Sequence, residues 1–100
     1  MGLYQRWTAT GENATNKINV HAFGAALREF ARGQITKAQI VAAFDLDAQD
    51  ETQLDAIIAT YQALPNAAAQ AKGMQAFESA MILAEAGYYT EQQCKDSLGF

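Results

Sequence analysis

One proline, one cysteine, one histidine and one tryptophan are all that the 100 residues hold of these four types. The single thiol, Cys94, excludes an internal disulfide. One imidazole, His21, and one thiol cannot supply the ligand set of a structural zinc site. Pro65 alone breaks the backbone outright, so long stretches of chain are free to be helical. Basic residues are few and scattered: Arg6, Lys17, Arg28, Arg32, Lys37, Lys72 and Lys95, within a net charge of −4. They form no stripe that could follow a phosphate backbone, so nucleic acid is not an expected partner. No apolar run approaches a bilayer's thickness, which argues against a membrane partner. The opening MGLYQRWTATGENATNK lacks the apolar centre of a signal peptide, and Arg6 stands where a myristoylation signal has Ser or Thr. An intracellular location, the cytoplasm of a host cell, is the expectation from these absences. Asn13-Ala14-Thr15 is then a glycosylation triplet by chance.

What the chain does have is alanine and helix punctuation. Half of the residues are apolar, but many are alanine, which favours closely packed helices and leaves room for stability supplied by partners. A chain of this length buries only about 60–70% of its unfolded surface. The most legible stretch is GQITKAQIVAAFDL, Gly33 to Leu46. Gly33 reads as the left-handed residue ending a helix. Thr36 with Gln39 forms a capping box, and Ile35 and Ile40 are spaced for a hydrophobic staple across it. Before this joint, Val20, Phe23, Leu27 and Phe30 make a one-sided stripe from Asn19 to Arg32; after it a short helix runs from Thr36 to Phe44. A third helix, capped by Asp47 or Asp50, runs to Leu64 with Leu54, Ile57, Ile58 and Tyr61 at spacings of three and four. Asn66 caps a fourth, reaching Ala86 and ending at Gly87, with Gly73 marking either a close approach or a local break. Thr90 and Gln93 form a second capping box, opening a fifth helix to Leu98. No stretch alternates as a strand does. The expected fold is all-α: a small five-helix bundle of two helix-turn-helix hairpins bridged by a central helix. Residues 1–16 have no helical period and read as an extended N-terminal arm on a single helical domain, 17–100.

Shifting the chain by 54 residues brings it partly onto itself. Ala22, Phe23, Ala26, Gly33, Thr36 and Gln39 fall on Ala76, Phe77, Ala80, Gly87, Thr90 and Gln93. Ile40 meets Cys94, Phe44 meets Leu98 and Leu46 meets Phe100. Residues 20–46 and 74–100 therefore read either as an internal repeat or as two uses of one common way to join helices.

Chemistry-bearing constellations are thin. Asp45, Asp47, Asp50, Glu51 and Asp55 cluster, but an EF-hand opening at Asp45 would need Gly and Glu where Asp50 and Ala56 stand. The cluster is better read as negative charge favoured at a helix N-terminus. The helix–break–helix from Thr36 to Leu64 has the length of a DNA-reading motif, but these acids would face phosphate. Cys94, the counterpart of Ile40, reads as a small buried hydrophobe, and His21 as a partly exposed surface residue. No catalytic, metal or cofactor residues are expected. The candidate interaction residues are Tyr4, Trp7, Tyr88, Tyr89 and Phe100, amphipathic rings that either dock on a partner or close the chain's own core.

The segment RGQITKAQIVAAFDLDAQDETQLDAIIATYQAL, Arg32 to Leu64, resembles small alanine-rich helical proteins encoded among the virion genes of tailed bacteriophages. The ITKAQIVAAFDLD joint, the DETQLDAII helix and the Tyr-Gln-Ala-Leu-Pro stop carry the likeness. It implies a non-enzymatic structural role, as a head or tail subunit or a decorating protein. Partners would be other protein chains of the virion, with a homo-oligomer among the arrangements. The alternative is a small helix-turn-helix regulator or protein-binding factor.

Overall fold

The computed structural model describes residues 1–100 and contains six α-helices and no strand. They are α1 (Leu3–Trp7), α2 (Val20–Ala31), α3 (Lys37–Ala43), α4 (Ala48–Gln62), α5 (Ala67–Glu85) and α6 (Glu91–Leu98), with a short 3-10 helix at Gly11–Asn16. The five helices expected from periodicity are all present, each starting where its cap places it. Asn19 and Asn66 accept from the backbone N–H three residues on, at 3.0 and 2.8 Å. Asp47 caps α4, accepting from the Asp50 N–H at 2.8 Å. Each bond satisfies one donor that a helix start leaves without an intrahelical partner.

The two long-short hairpins, α2–α3 and α5–α6, repeat bond for bond. In the capping boxes, Thr36 and Thr90 accept from Gln39 and Gln93 at 3.2 Å, and each glutamine side chain accepts in return at 2.8 Å. Gly33 and Gly87 both have positive φ, 76° and 89°; so do the residues after the short helices, Asp45 at 51° and Gly99 at 106°. At the joints, the N–H groups of Gln34 and Tyr88 donate to Glu29 and Leu83 carbonyls, both at 2.9 Å. At the far ends, the N–H groups of Leu46 and Phe100 donate to Val41 and Lys95 carbonyls at 3.0 and 3.1 Å. All of these pairs are separated by the same 54 positions. The α2 span and the last twelve residues of α5 also coincide under that shift.

The N-terminal segment differs from expectation. It is not an extended arm: Leu3–Trp7 is helical and its apolar side, Leu3, Tyr4 and Trp7, is buried. The Trp7 ring lies 5.8 Å from Phe23 and 5.9 Å from Phe77, the two equivalent rings of the hairpins. One indole thus fills the space between the two repeats. Burying an indole and two neighbouring side chains outweighs the poor helix prospects of a five-residue segment. Arg6 fixes it from the polar side. Its guanidinium donates to the carbonyls of Asn16 (2.8 Å), Phe44 (3.0 Å) and Asp45 (3.2 Å) and to Asp50 Oδ2 (2.6 Å). Asp50 is fully buried, so the charge that looked like ordinary helix-start decoration is one half of an interior ion pair.

Helix α5 is the backbone of the bundle, packing most extensively on α6 and then on α2. It runs unbroken through Gly73, where a Cβ would stand 2.8 Å from Leu64 Cδ1. The close approach there is a side chain, not another backbone. The hairpins differ in what lies beside their joints. Beside the first, Lys37 Nζ reaches Glu51 and Asp55 of α4 at 3.0 and 2.8 Å. Beside the second lies α1, and α4 packs on its short helix α6 as well.

Candidate functional site

The α5–α6 joint is where aromatic side chains meet solvent. Tyr88 is 77% exposed and Tyr89 37%. The joint's turn requires Gly87 to be left-handed, which turns the chain outward immediately before the two tyrosines and Thr90. Behind Tyr89 is a cavity of about 310 Å³ lined by Tyr4, Gln5, Trp7, Thr8, Ala84, Tyr89 and Glu91. Of the five residues expected to interact, the structure brings Tyr4, Trp7 and Tyr89 together, with Tyr88 next to them. Phe100 lies beyond the other end of α6 and stays outside the cavity. Tyr4 and Trp7 enter the site as its floor rather than as rings on a free arm: both are buried in their own chain, which corrects the docking-arm expectation.

The polar groups of this floor are unusual. The Tyr4 hydroxyl and Trp7 Nε1 are both buried without a protein hydrogen-bond partner. Burial holds the Tyr4 hydroxyl well above its ordinary ionisation range, and the Glu91 carboxylate adds to the shift. Burial pushes the Cys94 thiol up as well, with Glu91 again contributing. Glu91 itself stands at the first position of α6, favoured there by the helix dipole. Its only cation is Lys95 in its own helix, at 3.9 Å, and that ammonium also sits 5.5 Å over the Tyr4 ring. Neither Glu91 nor the depth of Tyr4 was legible in the sequence: Glu91 reads there as half of a helix start, and only the fold sets α1 against it.

The other candidates resolve differently. Cys94 Sγ is buried and donates to the Ala80 carbonyl at 3.4 Å, while His21 is exposed on α2. The acidic cluster is divided among partners: Asp47 faces the Met1 ammonium at 3.5 Å, Asp50 faces Arg6, and Glu51 and Asp55 face Lys37. No group of three or more His, Cys, Asp or Glu side chains is placed to share a metal ion. A second hollow, about 610 Å³, lies between α2 and α5 and is crossed by the Arg28–Glu78 ion pair at 3.1 Å. A third, about 680 Å³, borders Arg6 and the Phe44–Asp45 turn. No helix is long and apolar enough to cross a membrane.

Fold and site together define an all-helical bundle of two equivalent hairpins, with an exposed tyrosine pair at the second joint. No family model, curated protein or solved structure matches the chain.

Proposed function

We propose that the protein is a non-enzymatic subunit that works by contact with other protein chains through its α5–α6 joint. The observation that carries this reading is the Tyr88–Tyr89 pair, exposed on a joint whose counterpart in the same molecule displays Gln34 and a half-buried Ile35 instead. Tyrosines are well suited to such a role, because each offers a large apolar face at little entropic cost and a hydroxyl at its edge. The assembly we assign it to is the head or tail of a tailed-bacteriophage virion. That assignment rests on the resemblance of the Arg32 to Leu64 segment to small virion proteins.

Purified particles provide the test. The chain is expected in them at a fixed copy number, and a Tyr88→Ser/Tyr89→Ser variant is expected to stay in the soluble fraction with an unchanged helical circular-dichroism spectrum. Particles that lack the wild-type chain would remove the virion assignment. A double variant that assembles as well as wild type would remove the joint as the contact surface.

A further inference from the structure

Residues 1–9 sit on the rest of the chain as a ligand sits on its receptor. Trp7 lies between Phe23 of α2 and Phe77 of α5. The Leu3 N–H donates to the Gln53 side chain of α4, and Arg6 donates to the Phe44 and Asp45 carbonyls and to Asp50. The loop that tethers this segment, residues 8–17, adds little to its seat. From Thr10 to Lys17 every residue is exposed, and Ala14 is the one apolar side chain among them. The backbone bonds of Thr10 to Thr15 stay inside the loop: the Asn13 N–H donates to the Thr10 carbonyl at 3.1 Å and the Lys17 N–H to the Ala14 carbonyl at 3.2 Å. The two ends of the loop lie side by side, since the Ile18 N–H donates to the Arg6 carbonyl at 3.0 Å and the Lys17 ammonium to the Trp7 carbonyl at 2.7 Å. Straightened, a loop of this length reaches roughly 33–36 Å. That exceeds the two shorter dimensions of the molecule, 29 and 19 Å.

We propose that two copies of this chain exchange α1: the loop straightens, and residues 1–9 of each copy fill the seam between the hairpins of the other. The segment crosses as a packed helix rather than as a free arm. This goes beyond the contact reading above and does not depend on the tyrosine pair. Both states fill each seam with the same side chains, so exchange gives up neither the burial of Trp7 nor the Arg6–Asp50 pair. Opening the loop wets no large apolar side chain, because it has none. Reciprocal exchange leaves no seam empty and closes at two copies. The tether decides when it happens. A short flexible tether holds α1 over its own seam at an effective concentration on the order of millimolar. The dilute chain is therefore closed, and exchange competes at the packing density of an assembly. In the exchanged pair, the Tyr4 and Trp7 floor of each Tyr89 cavity comes from the other copy.

Gly11 is the lever. The closed loop needs it at a φ of 58°, which proline cannot adopt, and nothing stands within 4 Å of its Cβ position. Thr10 before it is already extended, as a residue preceding proline prefers. Gly11→Pro therefore opposes the closed loop and leaves α1 and the seam unaltered. In sedimentation of the full chain, this variant is expected to dimerise at concentrations at least about tenfold below those wild type needs, because the closed loop no longer competes. Its Trp7 fluorescence is expected to keep the short-wavelength emission of a buried indole. Wild type is tested beside it, as labelled and unlabelled chains refolded together at about 2 mM, above the effective concentration of the tether. Isotope-filtered NOEs are expected from the Trp7 indole of one chain to the Phe23 and Phe77 rings of the other. A Gly11→Pro chain that stays monomeric, or that releases Trp7 to water, overturns the proposal. So does a mixed wild-type sample whose Trp7 NOEs are all within one chain. Neither result bears on the Tyr88→Ser/Tyr89→Ser assembly test, so the two readings fail separately.

Discussion

Tyr4 carries a hydroxyl that nothing in the chain accepts, in a side chain 7% exposed. A buried unpaired hydroxyl opposes folding, so Tyr4→Phe should be neutral or stabilising by about 1 kcal/mol in urea denaturation at neutral pH. The same variant reports on alkaline behaviour. The folded-state pKa values of Tyr4 and Cys94 are raised, from ordinary values of 10.0 and 9.0. The folded chain then keeps protons that the unfolded chain releases, so stability is full below the lower of these values and falls as pH rises through them. Tyr4→Phe should flatten the upper part of that decline; an unchanged slope would mean the ring is wetter than its burial indicates. Arg6 is the other residue whose role lay hidden. It reads as one of seven scattered bases, yet it makes four hydrogen bonds to three carbonyls and a buried carboxylate. An ammonium cannot reproduce that fork, so Arg6→Lys should cost about 2 kcal/mol, read as a lowered urea midpoint.

At the scale of elements, helix starts were legible because each is written in a few adjacent residues. Thr36 with Gln39, Thr90 with Gln93, Asn19 and Asn66 all cap where their types and spacing direct. The left-handed residues at the joints were legible for the same reason. Gly33 and Gly87 have open space where a Cβ would stand, so replacing either by alanine costs only the backbone conformation. Gly33→Ala and Gly87→Ala should therefore each lose about 1–2 kcal/mol, by nearly the same amount, in thermal or urea unfolding. A large inequality would show that the two joints are not equivalent. By contrast, α1 was not legible. Five residues give no period to read, and its helicity depends on Phe23 and Phe77, which lie far along the chain. Asp50 was misplaced for a related reason: its partner, Arg6, is 44 positions away.

Seen whole, the bundle is a slab, 42 × 29 × 19 Å. Its thin dimension is about two helix layers. Only 22 residues are buried, so much of the helical surface is left for other contacts. Periodicity and caps yield the five main helices and the hairpin repeat, since those follow from local pattern. They do not reveal that α1 is buried against the repeat, because that depends on contacts with Phe23 and Phe77 far along the chain. Hydroxyl-radical footprinting of the free chain and of assembled particles tests the exposed tyrosine pair and the buried α1 most directly. Tyr88 and Tyr89 should oxidise readily in the free chain and be protected in the particle, with Trp7 and Tyr4 protected in both. Reactive Trp7 in the free chain, or Tyr88 and Tyr89 equally reactive in the particle, would contradict the buried α1 and the tyrosine pair as contact surface respectively.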